Sequence, residues 1–375
     1  MLAAALLMSG CSSTRVTRMD AQTGKVKSRT QHLVLPNIFS GNLGGDIVQA
    51  DPDSRQFHTL TTKDGTFIYR TYDASLRKVA EHKVSISPGL RAGYSTQYVV
   101  RNEKVAYADT KARRIVAYDM ATQTEKILPV PAHVPFKSRS FGSLTNPLQW
   151  ISDSEILHLE GNAAYVVNVK TGKWRTINNL VKQDMLRYAL SPDDTKLALV
   201  DGKHGSGSTP CVASIKMLDI GKGTIAQAAG KLTPECASGL KWSSDSKEFA
   251  YVAKGAQSDE IRVFNLASGK TRTLRTFPDP GSCSIESFHN GIVGYTIWCD
   301  YDTNFLVEMF GRKPFYFIDS QTGETLREIR LRGYRLNPIH PLDNDGKYVT
   351  DTTFIGADLA IPIFALKTLR KLMGY

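Results

Sequence analysis

No apolar run in this 375-residue sequence reaches the roughly 18–20 residues that a membrane-spanning helix needs, so any anchoring is expected to be by lipid. No segment holds a 3.6-residue apolar period over three turns, and 29 Gly with 16 Pro punctuate the chain, which argues against a helical architecture. Catalytic signatures are missing one after another. There is no GxSxG nucleophile elbow, no HExxH metal helix and no GxxxxGK(S/T) phosphate loop. No CxxC pair offers a thiolate metal centre, and the eight His residues are scattered. Ser206 and Ser208 lie near His204, but the sequence assigns them no carboxylate partner. These absences favour a protein without enzymatic activity and imply no cofactor and no metal site.

What the chain does have is a hairpin pattern recurring with a period of 40–55 residues, its clearest copies one or two periods apart: MDAQTGKVK at 19–27, YDMATQTEK at 118–126, NVKTGKWR at 168–175, FNLASGKTR at 264–272 and IDSQTGETL at 318–326. A second turn alternates with it, as in ISDSEIL at 151–157, SPDDTKLAL at 191–199 and SSDSKEFAY at 243–251. Asp and Asn suit such turns because their side chains bond the backbone two residues on and tolerate left-handed conformations. Leu197 and Leu199, like Phe249 and Tyr251, alternate with the period of half-buried strands. Inner turns fall at Asp53, Asn102, Asp153, Asp193, Asp245, Asn290 and Asp345; outer turns follow at Asp73, Asp119, Asn168, Asp219, Asn265, Asp319 and near Leu366. One turn of each kind defines a four-stranded antiparallel unit that must stack on its neighbours to bury both faces. The expected fold is therefore all-β, a seven-bladed β-propeller of four-stranded antiparallel blades, with eight blades as the alternative. The surplus hairpin at 19–27 is expected to close the ring by pairing with the C-terminal blade, which removes an exposed edge.

SPDDTKLALV and WSSDSKEFAYVAK resemble the repeat of TolB-type, WD-like β-propellers, which is also the repeat in the propellers of prolyl-oligopeptidase-like enzymes. The resemblance implies fold far more than function, because propellers host unrelated activities. Met8-Ser9-Gly10-Cys11 follows a short apolar run and resembles the lipobox of exported bacterial lipoproteins. That likeness implies a signal peptide over 1–10, cleavage before Cys11 with lipid on its thiol, a tether over 11–17 and one propeller domain over 18–375. With Ser12 next to the lipidated residue, the usual sorting habit implies the periplasmic face of the outer membrane, with a soluble periplasmic or surface location as the alternative.

Four further cysteines remain, Cys211, Cys236, Cys283 and Cys299, and an even count in an exported protein suggests two disulfides. The blade scheme puts all four toward one face. Cys211–Cys236 with Cys283–Cys299 is the short-range pairing, and Cys236–Cys283 the runner-up. Turn-to-turn distances locate long loops on the same face. Blades 2 and 3 take 17 and 15 residues from inner to outer turn (119−102 and 168−153), whereas blades 4 and 6 take 26 and 29 (219−193 and 319−290). The extra length is DGKHGSGSTPC at 201–211 and CDYDTNFLVEMFGRK at 299–313. Long loops on a rigid scaffold are where binding usually lives, so Lys203, His204, Asp300, Tyr301, Asp302 and Arg312 form the candidate binding face.

Lys+Arg 47 against Asp+Glu 36 gives a net charge of +11. Basic residues gather at Arg15, Arg18, Lys25, Lys27 and Arg29, at Lys111, Arg113 and Arg114, at Arg327, Arg330, Arg332 and Arg335, and at Lys367, Arg370 and Lys371. The N- and C-terminal clusters suit anionic lipid headgroups or an acidic protein surface; nucleic acid is not expected. The function these features favour is a lipid-anchored envelope scaffold that holds a protein partner. The alternatives are a small-ligand or glycan-binding propeller and a propeller enzyme with a site at the channel mouth.

Overall fold

The computed structural model describes residues 12–19, 26–34, 46–51, 54–63, 66–73, 77–85, 98–136, 148–182, 184–203, 212–232, 236–254, 258–278, 283–297, 312–332, 340–341, 348–349, 353–355 and 360–362. The described residues hold strands and turns, and no helix among them is long and apolar enough to cross a membrane.

An N-terminal hairpin is made of β1 (Ser12–Met19) and β2 (Val26–Val34). Sheet 1 contains β3 (Asp46–Asp51), β4 (Gln56–Lys63), β5 (Thr66–Asp73) and β6 (Lys78–Ser85). Sheet 2 contains β7 (Tyr98–Arg101), β8 (Lys104–Asp109), β9 (Arg114–Asp119) and β10 (Thr124–Pro129). Sheet 3 follows with β11 (Leu148–Ser152), β12 (Glu155–Glu160), β13 (Ala163–Asn168) and β14 (Trp174–Ile177). Sheet 4 has β15 (Asp184–Leu190), β16 (Lys196–Lys203), β17 (Val212–Asp219) and β18 (Thr224–Leu232). Sheet 5 has β19 (Cys236–Trp242), β20 (Glu248–Lys254), β21 (Asp259–Asn265) and β22 (Lys270–Phe277). Sheet 6 has β23 (Cys283–His289), β24 (Ile292–Ile297), β25 (Arg312–Asp319) and β26 (Thr325–Arg332). A last sheet of short strands has β27 (His340–Pro341), β28 (Tyr348–Val349), β29 (Thr353–Ile355) and β30 (Ala360–Pro362).

The four-stranded antiparallel blade is therefore the building unit, as the paired turns imply. The blade count is corrected: among the described residues six sheets have four strands, not seven or eight, and sheet 6 has six, in the order β2-β1-β26-β25-β24-β23. The ring closure expected of the N-terminal hairpin is not shown. β1 is paired to β26 at Met19↔Thr325, and β2, although near β30, shares no sheet with it. The hairpin covers the outer edge of β26, which would otherwise present unpaired backbone groups. Ser12 already belongs to β1, paired with Val34, so the stretch expected as a tether is strand from that residue on. In the last sheet the third-to-outer connection falls at 356–359, so Leu366 lies past it.

The chain divides into two compact units, one of Met1–Phe57, Tyr72–Arg77 and Ser238–Tyr375, the other of His58–Thr71 and Lys78–Ala237. Within the second unit, sheets 2 and 3 face each other across Ile115, Leu128, Trp150, Ile156 and Val167, and sheets 3 and 4 across Leu157, Val166, Leu197 and Leu218. Within the first unit, sheets 5 and 6 enclose Val252, Ile261, Val263, Ile285, Val293 and Tyr295. Alternation along the middle strands supplies apolar side chains to both faces of a sheet, so each sheet buries itself only against its neighbours.

The outer turn repeats one geometry, and the residue types explain it. Asp119, Asn168, Asp219, Asn265 and Asp319 each accept the amide of the residue three positions on, at 2.7–3.0 Å. The residue four positions on is left-handed: Gln123 (φ 56°), Gly172 (71°), Gly223 (66°), Gly269 (64°) and Gly323 (70°). Where that residue is Gly, its amide bonds back to the Asp or Asn carbonyl at 2.7–3.0 Å. A short carboxylate or amide thus closes the turn from within, and Gly relieves the Cβ clash of a left-handed residue.

Candidate functional site

Two inner turns are built alike and prepare the site. In one, the Ser191 hydroxyl donates to Asp193 at 2.6 Å and accepts the Lys196 amide at 2.9 Å; in the other, Ser243 donates to Asp245 at 2.7 Å and accepts the Glu248 amide at 2.9 Å. Asp194 and Ser246 occupy the left-handed position, each with φ 59°. Burial pushes the Asp193 and Asp245 carboxyls up, but hydrogen bonds from Ser191 and Ser243 and from the following backbone amides outweigh it, leaving both below the ordinary carboxylate range. These aspartates serve the turn and are not proton carriers near neutral pH.

The first unit carries the cleft. It has a volume of about 390 Å³ and lies between the turn ends of sheets 5 and 6, lined by Ser243, Ser244, Asp245, Lys247, Glu248 and Asn265 on one side and by Phe288, Asn290, Gly291, Ser320 and Gln321 on the other. A two-residue turn makes room for it. Asn290 (φ 48°) and Gly291 (φ 72°) are both left-handed, as a type I′ hairpin requires, and His289 pairs directly with Ile292. Small side chains at 243, 244, 291 and 320 keep it open.

Arg272, from β22, ties the two sides together. Its Nη1 and Nη2 donate to the two Glu248 carboxylate oxygens at 2.8 and 2.7 Å, and its Nε donates to the Ser320 carbonyl at 2.9 Å. Asn265 adds a bond to Glu248 at 2.9 Å. The Arg272 hydrogen bond, against burial, holds the Glu248 carboxyl below its ordinary value. Lys247 sits 3.3 Å from Asp245. Ser320 is 1 % exposed; its amide donates to the Gly291 carbonyl at 2.7 Å, while its hydroxyl has no hydrogen-bond partner.

In the second unit a long side chain bridges three inner turns. Arg101, at the end of β7, forms ion pairs with Asp194 and, at 3.5 Å, with Asp153, and Asn102 reaches Asp153 at 3.4 Å. Burial raises the Asp194 carboxyl in spite of Arg101. Part of the basic character read from the sequence is also internal: Arg113 donates to the Pro131 and Val134 carbonyls, Arg114 pairs with Asp109 at 2.9 Å, and Arg327 lies over the Phe317 ring.

Of the six residues expected to form the binding face, Lys203 and Arg312 are among the described residues. Lys203 ends β16 opposite Val212, and Arg312 opens β25 opposite Arg332, so each stands at the base of a long loop. His204, Asp300, Tyr301 and Asp302 lie outside the described residues, as do Cys11, Cys211 and Cys299. Cys236 and Cys283 open β19 and β23, the corresponding strands of sheets 5 and 6, and Cys283 is buried; the proposed pairings involving Cys211 and Cys299 lie outside the described residues. Sequence reasoning missed the cleft. Its available signals were the serine that replaces proline in SSDSK and the two-residue turn HNG, both of which shorten the walls.

No protein-family model matches the chain, and no curated protein matches it. Solved structures do. An oligogalacturonate lyase from Vibrio parahaemolyticus is similar with a TM-score of 0.53 at 11% identity, over 93% of this chain and 96% of that one. The fold is a β-propeller. The tricorn protease is similar at a TM-score of 0.49 and 13% identity over 90% of this chain, which spans only 37% of the protease. TolB from Acinetobacter baumannii is similar at a TM-score of 0.37 and 16% identity, over 74% of this chain and 80% of that one. At such identities the likeness concerns the fold alone.

Proposed function

We propose that this chain is a non-catalytic binding propeller, held in the cell envelope by lipid on Cys11, that serves as a scaffold for a protein partner. One observation carries the binding reading: both acidic side chains of the cleft are already committed. Glu248 is bracketed by Arg272 and Asn265, Asp245 by Ser243 and the Lys247 amide, and both carboxyls are displaced downward. A general acid or base needs a value near the working pH, and these groups have been moved away from it. Their geometry instead holds the turn ends of sheets 5 and 6 in fixed positions, which suits recognition by a rigid surface. The lipobox-like Met8-Ser9-Gly10-Cys11 supports the envelope location. Solubilising membranes that carry the full-length protein, purifying it and identifying co-purified proteins by mass spectrometry tests the role. A stable envelope partner is the expected result, and recovery of the protein alone contradicts the scaffold. Mass analysis of the mature N-terminus tests the anchor separately; an unmodified Cys11 refutes it.

A further inference from the structure

We infer that the cleft between the turn ends of sheets 5 and 6 is a subsite for a neutral, polyhydroxylated ligand of sugar size. The inference rests on the reading of the chain as a binding protein, and it adds a site at the opposite end of the sheet 6 strands from the 298–311 connection.

Charge decides against an ionic ligand. The Glu248 carboxylate takes two bonds from Arg272 and one from Asn265, and Lys247 lies 3.3 Å from Asp245. Charge on this wall is balanced from within, so a charged guest would compete with a pair already made. Beside the exposed Asp245–Lys247 pair, what faces a guest is hydroxyl and amide: Ser244, Asn290 and Gln321 are exposed along the rim. Ser320 forms part of the inner wall. Its amide and carbonyl are consumed by Gly291 and Arg272, and its hydroxyl is the polar atom of that residue with nothing to bond. Buried polar atoms are nearly always satisfied, so an unsatisfied one lining a cleft marks where a ligand hydroxyl would be accepted. Phe288, 5 % exposed, adds an apolar patch against which the C–H face of a sugar ring can rest. The volume of about 390 Å³ suits a small guest.

The test uses the full chain, with glucose, N-acetylglucosamine and cellobiose as neutral probes and glucuronate as the charged counterpart. Saturation-transfer NMR detects binding and calorimetric titration measures it. At least one neutral probe is expected to bind, with glucuronate about tenfold weaker. Ser320→Ala is expected to weaken that neutral probe about tenfold while leaving the unfolding midpoint unchanged or raised, since it removes an unpaired buried hydroxyl. A purely structural role for Ser320 would not separate those two readouts. The inference is overturned if no neutral probe gives a signal, if glucuronate binds as tightly, if only peptides occupy the cleft, or if Ser320→Ala leaves affinity within about twofold. Should the sugars fail while the lipidated chain still retains an envelope partner, the subsite falls alone; should both fail, the binding reading falls with it.

Discussion

Gly323 offers a clean measurement of how tightly neighbouring blades are fitted. It is left-handed at φ +70°, and a Cβ there would stand 2.7 Å from the Leu274 carbonyl oxygen on β22. Gly269 and Gly172 hold the same turn position at φ +64° and +71°, yet a Cβ on either meets nothing within 4 Å. The three positions share one conformational cost, and only Gly323 adds a steric one. Alanine forced left-handed costs about 1–2 kcal/mol, which is the full effect expected for Gly269→Ala and Gly172→Ala. At 323 the methyl must also displace a backbone carbonyl of the adjacent blade, an overpacking cost of about 1–3 kcal/mol. Gly323→Ala should therefore lose about 2–5 kcal/mol in all. Equilibrium urea unfolding, followed both by the fluorescence of the four Trp residues and by far-UV circular dichroism, reads the midpoint shift at constant slope. Coincidence of the two probes checks that a single transition is being measured. If Gly323→Ala falls within about 0.5 kcal/mol of Gly269→Ala, the close approach of sheets 5 and 6 is not a constraint and the reasoning fails.

Arg272→Met removes the charged bonds to Glu248 across the cleft wall; with side chains 28% and 11% exposed, a loss of about 1–2 kcal/mol is expected after solvent screening, read by the same urea titration. The Glu248 carboxyl is displaced downward, chiefly by Arg272. The stability it contributes is thus fully present above the unfolded value of about 4.3 and is lost as pH falls through the lower folded value. Unfolding midpoints measured across this range should fall on acidification, and less steeply in Arg272→Met; an identical slope in both proteins contradicts the assignment. Carbon-detected NMR titration should place the Glu81 carboxyl at about 2, held there first by the Arg70 hydrogen bond and then by Lys78, with Arg70→Met returning it toward about 4.3. Ser243→Ala, which removes the hydroxyl that donates to the Asp245 carboxylate and accepts the Glu248 amide, should cost about 1 kcal/mol in the urea titration, and no loss would mean that the turn closes without it.

The blade was legible because its turns carry their own chemistry. Asp193, Asp219, Asn265 and Asp319 each bond their own backbone, so a local sequence pattern reports a local structure. The partner of the N-terminal hairpin was not legible in this way. Whether β1 joins β26 or the last sheet depends on which edge lies in reach, and no turn residue encodes that; Met19 pairs with Thr325 of sheet 6. The cleft was hidden for a related reason. Ser244 and Asn290 are 46 positions apart, and Arg272 meets the Ser320 carbonyl from 48 positions away. Such a site is formed by the spaces that short side chains leave between repeats, whereas motif reading follows residues that are conspicuous within one repeat.

The hairpin of β1 and β2 has a mechanical side. Its open end is Ser12 beside Val34, where the chain continues into the rest of the molecule, and its closed end is near Met19 and Val26. A pull on the chain ahead of Ser12 therefore opens the pairs in succession from that end, instead of shearing them all together. β1 lies between β2 and β26, so the same pull also bears on the β26 edge, where Met19 meets Thr325. Tension from the N-terminal side would thus be shared between this ribbon and the edge of sheet 6.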